Sequence, residues 1–309
     1  MDFFQTTINL LILVCVAYIL AARRPTFSFN PFVSGPMQGI ERLLDYFRSA
    51  LRIPNILIGL LLIALLLTIS TMLPYRTGRP PELDLAAGNL FVFHAGEAAG
   101  LSGYWHVSLL KALLFFIRLW SVFFIVNLIT PRERTTRAFD AYTFYAAPFS
   151  RLPILSQGIA LLLAAFLIAF AAIHTLQPNP PDAALAETLG AGGITGLFTD
   201  ASLPIRILRF VWLSLLVIID SLRIINQALL ALLIGNLVCA LFQWQVGGLL
   251  CMEGVYMLLG RFARKSPSAG GIDLTPLIFM ILVNMLHVAF VQTLTSLIIA
   301  FKTFTLMPK

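Results

Sequence analysis

Charged residues are scarce in this chain, and their scarcity indicates whether the protein is soluble or resides in a membrane. Of its 309 residues, 11% are charged and 59% are hydrophobic, whereas a typical soluble protein has about 25% charged residues. A soluble domain of this length could not bury so much apolar surface. The composition therefore predicts an integral membrane protein whose first partner is the lipid bilayer.

Cysteines and catalytic motifs are also few. Cys15, Cys239 and Cys251 are scattered, so we interpret them as small apolar residues rather than a disulfide framework. The sequence contains no Walker loop, GxSxG, HExxH or dinucleotide-binding motif, each of which would place reactive groups at a fixed spacing. We therefore expect no enzymatic activity and no cofactor.

The net charge of +7 does not indicate a nucleic-acid partner. The basic residues lie beside apolar segments instead of forming a patch, which is the pattern of a membrane orientation signal.

Long apolar runs occupy most of the chain, and crossing the bilayer takes roughly 20 residues. The runs are continuous and Leu-rich rather than alternating, which favours helices over strands. We predict an all-α, polytopic bundle forming one integral membrane domain over 1–309. Its six spans are Thr7–Ala22, Asn55–Leu73, Trp105–Ile129, Pro153–His174, a run within Ile205–Phe242, and Pro276–Phe301.

The first run is interpreted as a retained helix rather than a cleaved signal peptide. A signal peptide has positive charges before its apolar run, whereas here Asp2 precedes the run and Arg23 and Arg24 follow it.

The loop charges orient the chain, since cytoplasmic loops are enriched in Lys and Arg. Three loops hold most of the basic residues: Arg23, Arg24, Arg42, Arg48 and Arg52; then Arg132, Arg134, Arg137 and Arg151; then Arg261, Arg264 and Lys265. The outer loops 75–104 and 175–204 hold few. This alternation predicts that both termini lie outside the cytoplasm.

The run Ile205–Phe242 is too long for one upright span. Two short spans would place the last basic loop outside, against the charge rule. We favour one span near Asn226–Phe242 preceded by a tilted or surface-lying helix, because Arg206, Arg209, Asp220, Arg223 and Gln227 share one face of the helix.

Three units of the chain have a similar order: 1–74, 105–175 and 205–301. In each, an aromatic and basic segment precedes a proline that opens the next helix. We expect Gly39–Arg52, Ala138–Arg151 and Gly254–Lys265 to be amphipathic helices on the cytoplasmic surface. This repeat is explained either by internal duplication or by convergence of unrelated helical hairpins on similar sequence signals.

The third unit resembles the YggT family of small membrane proteins over 254–300, with a weaker echo at 30–54. The resemblance rests on the basic stretch Leu259–Arg264, on Gly271-Ile272-Asp273-Leu274-Thr275-Pro276, and on Asn30-Pro31-Phe32. It implies a bacterial inner membrane or plastid setting. It also implies a role in organising membrane complexes, or an osmotic or potassium phenotype.

The residues Gly271, Asp273, Thr275 and Pro276 also make physical sense as a turn. Thr275 can cap the helix opened by Pro276, and Asp273 lies near the positive end of its dipole. A structural turn is the simpler reading, and a cation or partner site at Asp273 is the alternative.

Charges inside the membrane are functional candidates, because each costs about 2.5–3.5 kcal/mol near the centre. Arg118 should lie near mid-depth, out of reach of Asp220, and bond backbone carbonyls, polar groups or a partner. Asp220 and Arg223 could pair with each other. His287 is read as a polar contact between helices rather than a haem ligand. The candidate partner or lipid contacts are Arg118, Arg206, Arg209, Asp220, Arg223, Arg261 and Arg264.

Two functional classes fit these patterns. The leading hypothesis is a non-enzymatic membrane scaffold, a subunit or assembly factor of a larger complex with partner subunits. The alternative is a component of a small-solute or ion transporter, a class that usually shows broken helices and polar residues near the midplane.

Overall fold

The structure, a computed structural model, describes residues 3–21, 30–51, 54–77, 81–86, 91–96, 100–129, 137–147, 149–178, 193–199, 202–264, 268–269 and 272–305. It is about 89% helical, which agrees with the predicted all-α class. The helices are α1 (Phe3–Ala21), α2 (Pro31–Leu51), α3 (Asn55–Thr77), α4 (Gly100–Ile129), α5 (Arg137–Tyr145), α6 (Ile154–Thr175), α7 (Gly193–Thr199), α8 (Leu203–Leu241), α9 (Gln245–Leu259) and α10 (Thr275–Thr305). Short 3-10 helices cover Phe149–Arg151 and Gly260–Arg264.

Five of the described helices are long and apolar enough to cross a membrane: α3, α4, α6, α8 and α10. They correspond to five of the six predicted spans, and they give the chain the character of a multi-pass membrane protein. The remaining predicted span, α1, is apolar over Phe4–Leu20 and is shorter than the other five.

The chain divides into two compact units. The first comprises Met1–Leu73, Phe123–Ile154 and Gln227–Phe279. Within it, α1 and α3 run antiparallel, because Gly59 of α3 lies against Ile19 while Ser70 donates to Gln5 at 2.9 Å. A hydrophobic cluster of Cys15, Ile40 and Ile58 joins α1, α2 and α3.

The second unit comprises Pro74–Val122, Leu155–Asn226 and Met280–Lys309. It contains a small antiparallel sheet that the sequence had not predicted, with strands β1 (Glu82–Asp84), β2 (Val92–His94) and β3 (Gln177–Pro178) in that order. The apolar side chains of Leu83, Leu85, Phe91 and Phe93 in and beside this sheet are almost fully buried. The segments predicted as outer loops therefore have a core.

Helix α8 is continuous over 39 residues, about 58 Å at 1.5 Å per residue. The prediction of a separate tilted or surface-lying helix before Asn226 is wrong. The run from Ile205 is one α-helix, because Leu213, Leu216 and Val217 continue the buried face between the polar positions.

Helix α9 folds back along the end of α8, which forms a hairpin that we call the α8–α9 hairpin (Gln227–Leu259). Its pairs run antiparallel: Gly254 faces Leu232, Gly235 faces Cys251, and Gly247 faces Cys239. Small residues thus line the contact, which lets the two backbones approach closely, as in membrane helix pairs.

The three segments predicted as amphipathic helices are helical in α2, in α5 with the 3-10 turn that follows, and in α9 with Gly260–Arg264. The first and the third begin before their predicted starts, since α2 begins eight residues earlier, at Pro31, and α9 nine residues earlier, at Gln245. The third also differs in character. Its exposed side chains Val246, Leu249 and Tyr256 are largely apolar. Only its end, from Tyr256 to Arg261, combines aromatic and basic exposed residues.

The chain between α9 and α10 contains a two-stranded pair, β4 (Ser268–Ala269) and β5 (Ile272–Asp273). Asp273 pairs with Ser268 in this turn. Helix α10 begins at Thr275, and the Ile278 amide donates to the Leu274 carbonyl at 3.1 Å. The predicted helix start at Thr275-Pro276 is confirmed.

Candidate functional site

Arg118 of α4 is the centre of a buried polar cluster in the second unit. Its side chain is only 10% exposed. Its Nη2 donates to the backbone carbonyls of Asp84 at 3.0 Å and Leu85 at 3.3 Å, and to Asp220 Oδ2 at 3.0 Å. One guanidinium therefore joins α4, the end of β1 and α8.

Asp220 extends the cluster to a third helix. Its Oδ1 lies 3.3 Å from His287 Nε2 of α10, and its side chain is 9% exposed. A carboxylate with a guanidinium on one oxygen and an imidazole on the other has both oxygens engaged. We call Asp84, Arg118, Asp220 and His287 the ionic cluster.

Helix packing explains why these side chains meet. Helix α4 spans 30 residues, and the side chains of Leu114, Ile117 and Val122 around Arg118 are buried. The guanidinium therefore reaches its acceptors from within an apolar environment, where an unpaired charge would be costly and a paired one is held firmly.

The structure corrects one prediction about Arg118 and confirms another. The prediction that Asp220 lies out of reach is wrong, since the two side chains form an ion pair at 3.0 Å. The error came from confining the span to Asn226–Phe242, which displaced Asp220 toward the outer surface. The prediction that Arg118 bonds backbone carbonyls is confirmed, although they belong to a strand end rather than to a helix.

Two further predictions concern α8 and α10. Asp220 pairs with Arg118 and His287 rather than with Arg223, whose side chain is exposed. Spacing along one helix favoured the local pair, whereas packing brought a partner from another helix. His287 makes the predicted polar contact between helices.

Asp84 is the member that sequence reasoning missed. Its backbone carbonyl binds Arg118, its carboxyl Oδ1 is buried without a hydrogen-bond partner, and burial raises its pKa above the ordinary value. Its surroundings, Pro81-Glu82-Leu83-Asp84-Leu85, alternate polar and apolar residues, which is typical of a short strand. This alternation is the feature of the sequence from which strand β1 could have been predicted.

The remaining polar residues of α8 divide between the interior and the surface. Arg209 is 2% exposed and its Nη1 donates to the Leu197 carbonyl of α7. Beside it, the rings of Phe198 and Phe210 lie 4.9 Å apart. Arg206 is half-buried, and Arg223 and Gln227 are exposed. The shared helix face predicted from sequence is therefore a buried contact at Arg209 and Asp220.

The basic residues after α9 have a different setting. Arg261 is exposed at the start of the 3-10 turn, as a lipid or partner contact would require. The side chains of Arg264 and Asp273, and the whole of Gly271, lie outside the described residues. Thr275 and Pro276 are buried at the start of α10, in keeping with a structural turn.

The ionic cluster can form ion pairs and can bind or release protons, because its members are carboxylates, a guanidinium and an imidazole. Among the described residues, no group of three His, Cys, Asp or Glu side chains is placed to hold a metal ion. The three cysteines are free thiols, and Cys15 and Cys239 are buried.

No family model, curated protein or solved structure matches this chain. The resemblance to the YggT family therefore stays a prediction, and the function has to be argued from the geometry.

Proposed function

We propose that this protein is a non-enzymatic integral membrane scaffold, a subunit or assembly factor of a larger membrane complex, and that the α8–α9 hairpin is its docking element. The proposal places it in the bacterial inner membrane with six spans and both termini outside the cytoplasm. The observation that carries it is the exposed apolar surface of the hairpin.

The length of α8 makes this surface unusual. A helix tilted by about 40° through a hydrocarbon layer of about 30 Å uses roughly 26 residues, whereas α8 has 39. Lipid therefore cannot cover the whole helix. Yet Leu241, Phe242, Trp244, Val246 and Leu249, at and beside the hairpin turn, are between 61% and 80% exposed.

The turn itself is suited to an apolar environment. Its amides at Phe242, Gln243, Trp244 and Gln245 all donate to carbonyls within the hairpin, so the backbone does not depend on water there. From Ile224 to Gly260 the only charged residue is Glu253. These features support an apolar partner surface, such as a helix of another membrane protein, as the occupant.

The test is co-purification in mild detergent, followed by mass spectrometry. A double variant, Phe242→Ser and Leu249→Ser, should lose the co-eluting partner while inserting normally, because both side chains are exposed. Leu163→Ser is the matched control, since Leu163 is 58% exposed on α6, and it should retain the partner. Photo-cross-linking from position 244 should map the partner's contact to the hairpin turn.

A wild-type protein that elutes alone as a monomer would contradict the scaffold. Equal loss of partner in the hairpin and Leu163 variants would instead contradict the hairpin as the docking element.

The proposed topology has its own test. Cysteines introduced at Ser28, Thr136 and Ser268 should react only with a membrane-permeant reagent in intact cells. Labelling of position 268 by an impermeant reagent would overturn the six-span orientation.

The ionic cluster favours a second candidate, a small-solute or ion transporter component. Ionisable residues from three helices meet at Asp220, and such clusters often lie on ion pathways. Under this alternative, Arg118→Gln should abolish flux in reconstituted vesicles without altering partner retention. Under the scaffold proposal the same variant weakens partner retention, and the wild-type protein supports no flux above that of empty vesicles.

A further inference from the structure

The charges of the ionic cluster do not balance. Its charged members are the half-buried Asp84 and the buried Asp220 and Arg118, which sum to one negative charge when His287 is neutral and both carboxyls are ionised. Arg223 interacts electrostatically with Asp84, but its side chain is exposed to the surroundings. A net charge in an apolar interior is costly, and one added proton removes it.

We propose that the ionic cluster is a proton-binding site, which takes up one proton shared between His287 and Asp84. The residues that carry the two acceptors lie at the ends of one continuous chain of contacts, in which Asp84 takes part through its backbone carbonyl and not through its carboxyl. It runs from the Asp84 carbonyl through Arg118 Nη2 and the two oxygens of Asp220 to His287 Nε2.

Each end of the chain can accept a proton. The imidazole of His287 can bind a second ring proton, and Asp220 Oδ1 lies 3.3 Å from its Nε2, where a protonated ring donates to it. Asp84 Oδ1 is buried and accepts no hydrogen bond. Burial raises the pKa of Asp84, Arg118 and Arg223 oppose this, and Asp220 adds to it, so Asp84 is disposed to hold a proton.

The groups that face the site come from four elements. They are Arg118 from α4, Asp220 and Arg223 from α8, His287 from α10, and Asp84 from β1. The paired strand β2 adds His94, opposite Glu82 in the register. Proton uptake by His287 adds the attraction of opposite charges to the hydrogen bond that joins α8 and α10. Acidification should therefore tighten the link between these helices.

The first experiment is a double-mutant cycle on thermal unfolding in detergent, with Asp220→Asn, His287→Gln and the double variant. The non-additivity of the unfolding midpoints in this cycle should grow at least about twofold from pH 8 to pH 5, because only the protonated imidazole adds the attraction of opposite charges to the hydrogen bond. A coupling that is the same at both pH values would identify a neutral structural hydrogen bond and overturn the proposal. His106→Gln, which changes a histidine bonded to Thr175, controls for a general effect of losing a histidine.

The second experiment does not depend on the folding of the Asp220 variant. Proton uptake by purified protein is counted with a pH indicator between about pH 8 and pH 5. The wild type should bind about one more proton than the variant combining Asp84→Asn and His287→Gln. The control is Glu82→Gln, at the exposed acid two residues before Asp84, and it should bind as many protons as the wild type. Equal uptake by the wild type and the Asp84–His287 double variant would refute the site.

Discussion

Up to Arg223, helix α8 carries four charged residues and buries two of them, Arg209 and Asp220, whereas from Ile224 to its end at Leu241 it carries none. Arg209 and Asp220 in the first half reach acceptors and partners from other elements. Leu237 and Leu241 in the second half are more than 60% exposed, and glycines and cysteines form the contact with α9. Charge pairing holds one half and close backbone approach holds the other. Each half should therefore be disrupted by a different kind of substitution.

The largest effect is expected from Arg118→Gln. Loss of the guanidinium leaves the Asp220 carboxylate buried and weakly paired, which costs about 3–5 kcal/mol. The midpoint of thermal unfolding in detergent should fall accordingly, and adding Asp220→Asn should recover part of the loss. Arg223→Gln, at an exposed position, should change the stability by less than about 0.5 kcal/mol. If the two arginine variants melt alike, the ion pair does not hold this half of the helix.

The next largest effect is expected from Gly260→Ala at the end of the hairpin. Gly260 has a φ of 52°, and a Cβ there would lie 2.8 Å from the backbone oxygen of Ile129. Strain of this kind costs about 1–3 kcal/mol. Gly39→Ala in α2 is the control, because no atom lies within 4 Å of its added Cβ. That control should stabilise by up to about 1 kcal/mol through helix propensity. The two alanines should therefore shift the unfolding midpoint in opposite directions.

A smaller effect is expected from Gly247→Ala inside the hairpin. Its added Cβ would lie 2.5 Å from the Trp244 ring and 2.8 Å from Cys239 Sγ. Trp244 is at an exposed turn and can move aside, so the cost should be near the lower end of the overpacking range, about 1 kcal/mol. The displaced ring should shift the tryptophan emission. Gly248→Ala meets nothing closer than 3.3 Å and should leave the emission unchanged. A similar shift in both variants would count against the antiparallel register.

The smallest perturbation is oxidation of the natural thiols. Cys239 and Cys251 lie close enough across the hairpin for their side chains to hydrogen-bond. Copper–phenanthroline should take two electrons from the pair of thiols, which lose their two protons to solvent and form a disulfide. Maleimide labelling after denaturation should then report Cys15 alone. Three reactive thiols after oxidation would mean that α9 does not pack against α8 in this register.

Several elements of the fold were predictable because one local rule decided each of them. Apolar length located four of the five long apolar helices, α3, α4, α6 and α10, to within about five residues, and Pro276 marked the start of α10. The hairpin could have been anticipated from small residues four apart at Gly235 and Cys239 and at Gly247 and Cys251, a spacing typical of close helix pairs. The sheet was missed because its strands are only two or three residues long.

The candidate site was less predictable than the fold. Composition singled out Arg118, Asp220 and His287, because ionisable residues are costly in apolar helices. Their mutual contact depends on how far α4, α8 and α10 are shifted relative to one another along their axes. The sequence of a single helix does not determine these shifts. Asp84 belongs to a short strand far from the others in sequence, and only the packing of β1 places its carbonyl on Arg118.

By itself, the sequence determined the class of the protein, since transfer of its apolar runs from water depends on composition and length alone. It also determined which charged residues needed a partner. The tertiary structure decided who the partners are, because a buried charge is satisfied by whichever element packs within about 3 Å of it. For Asp220 that partner is Arg118, 102 residues away, rather than Arg223 on its own helix.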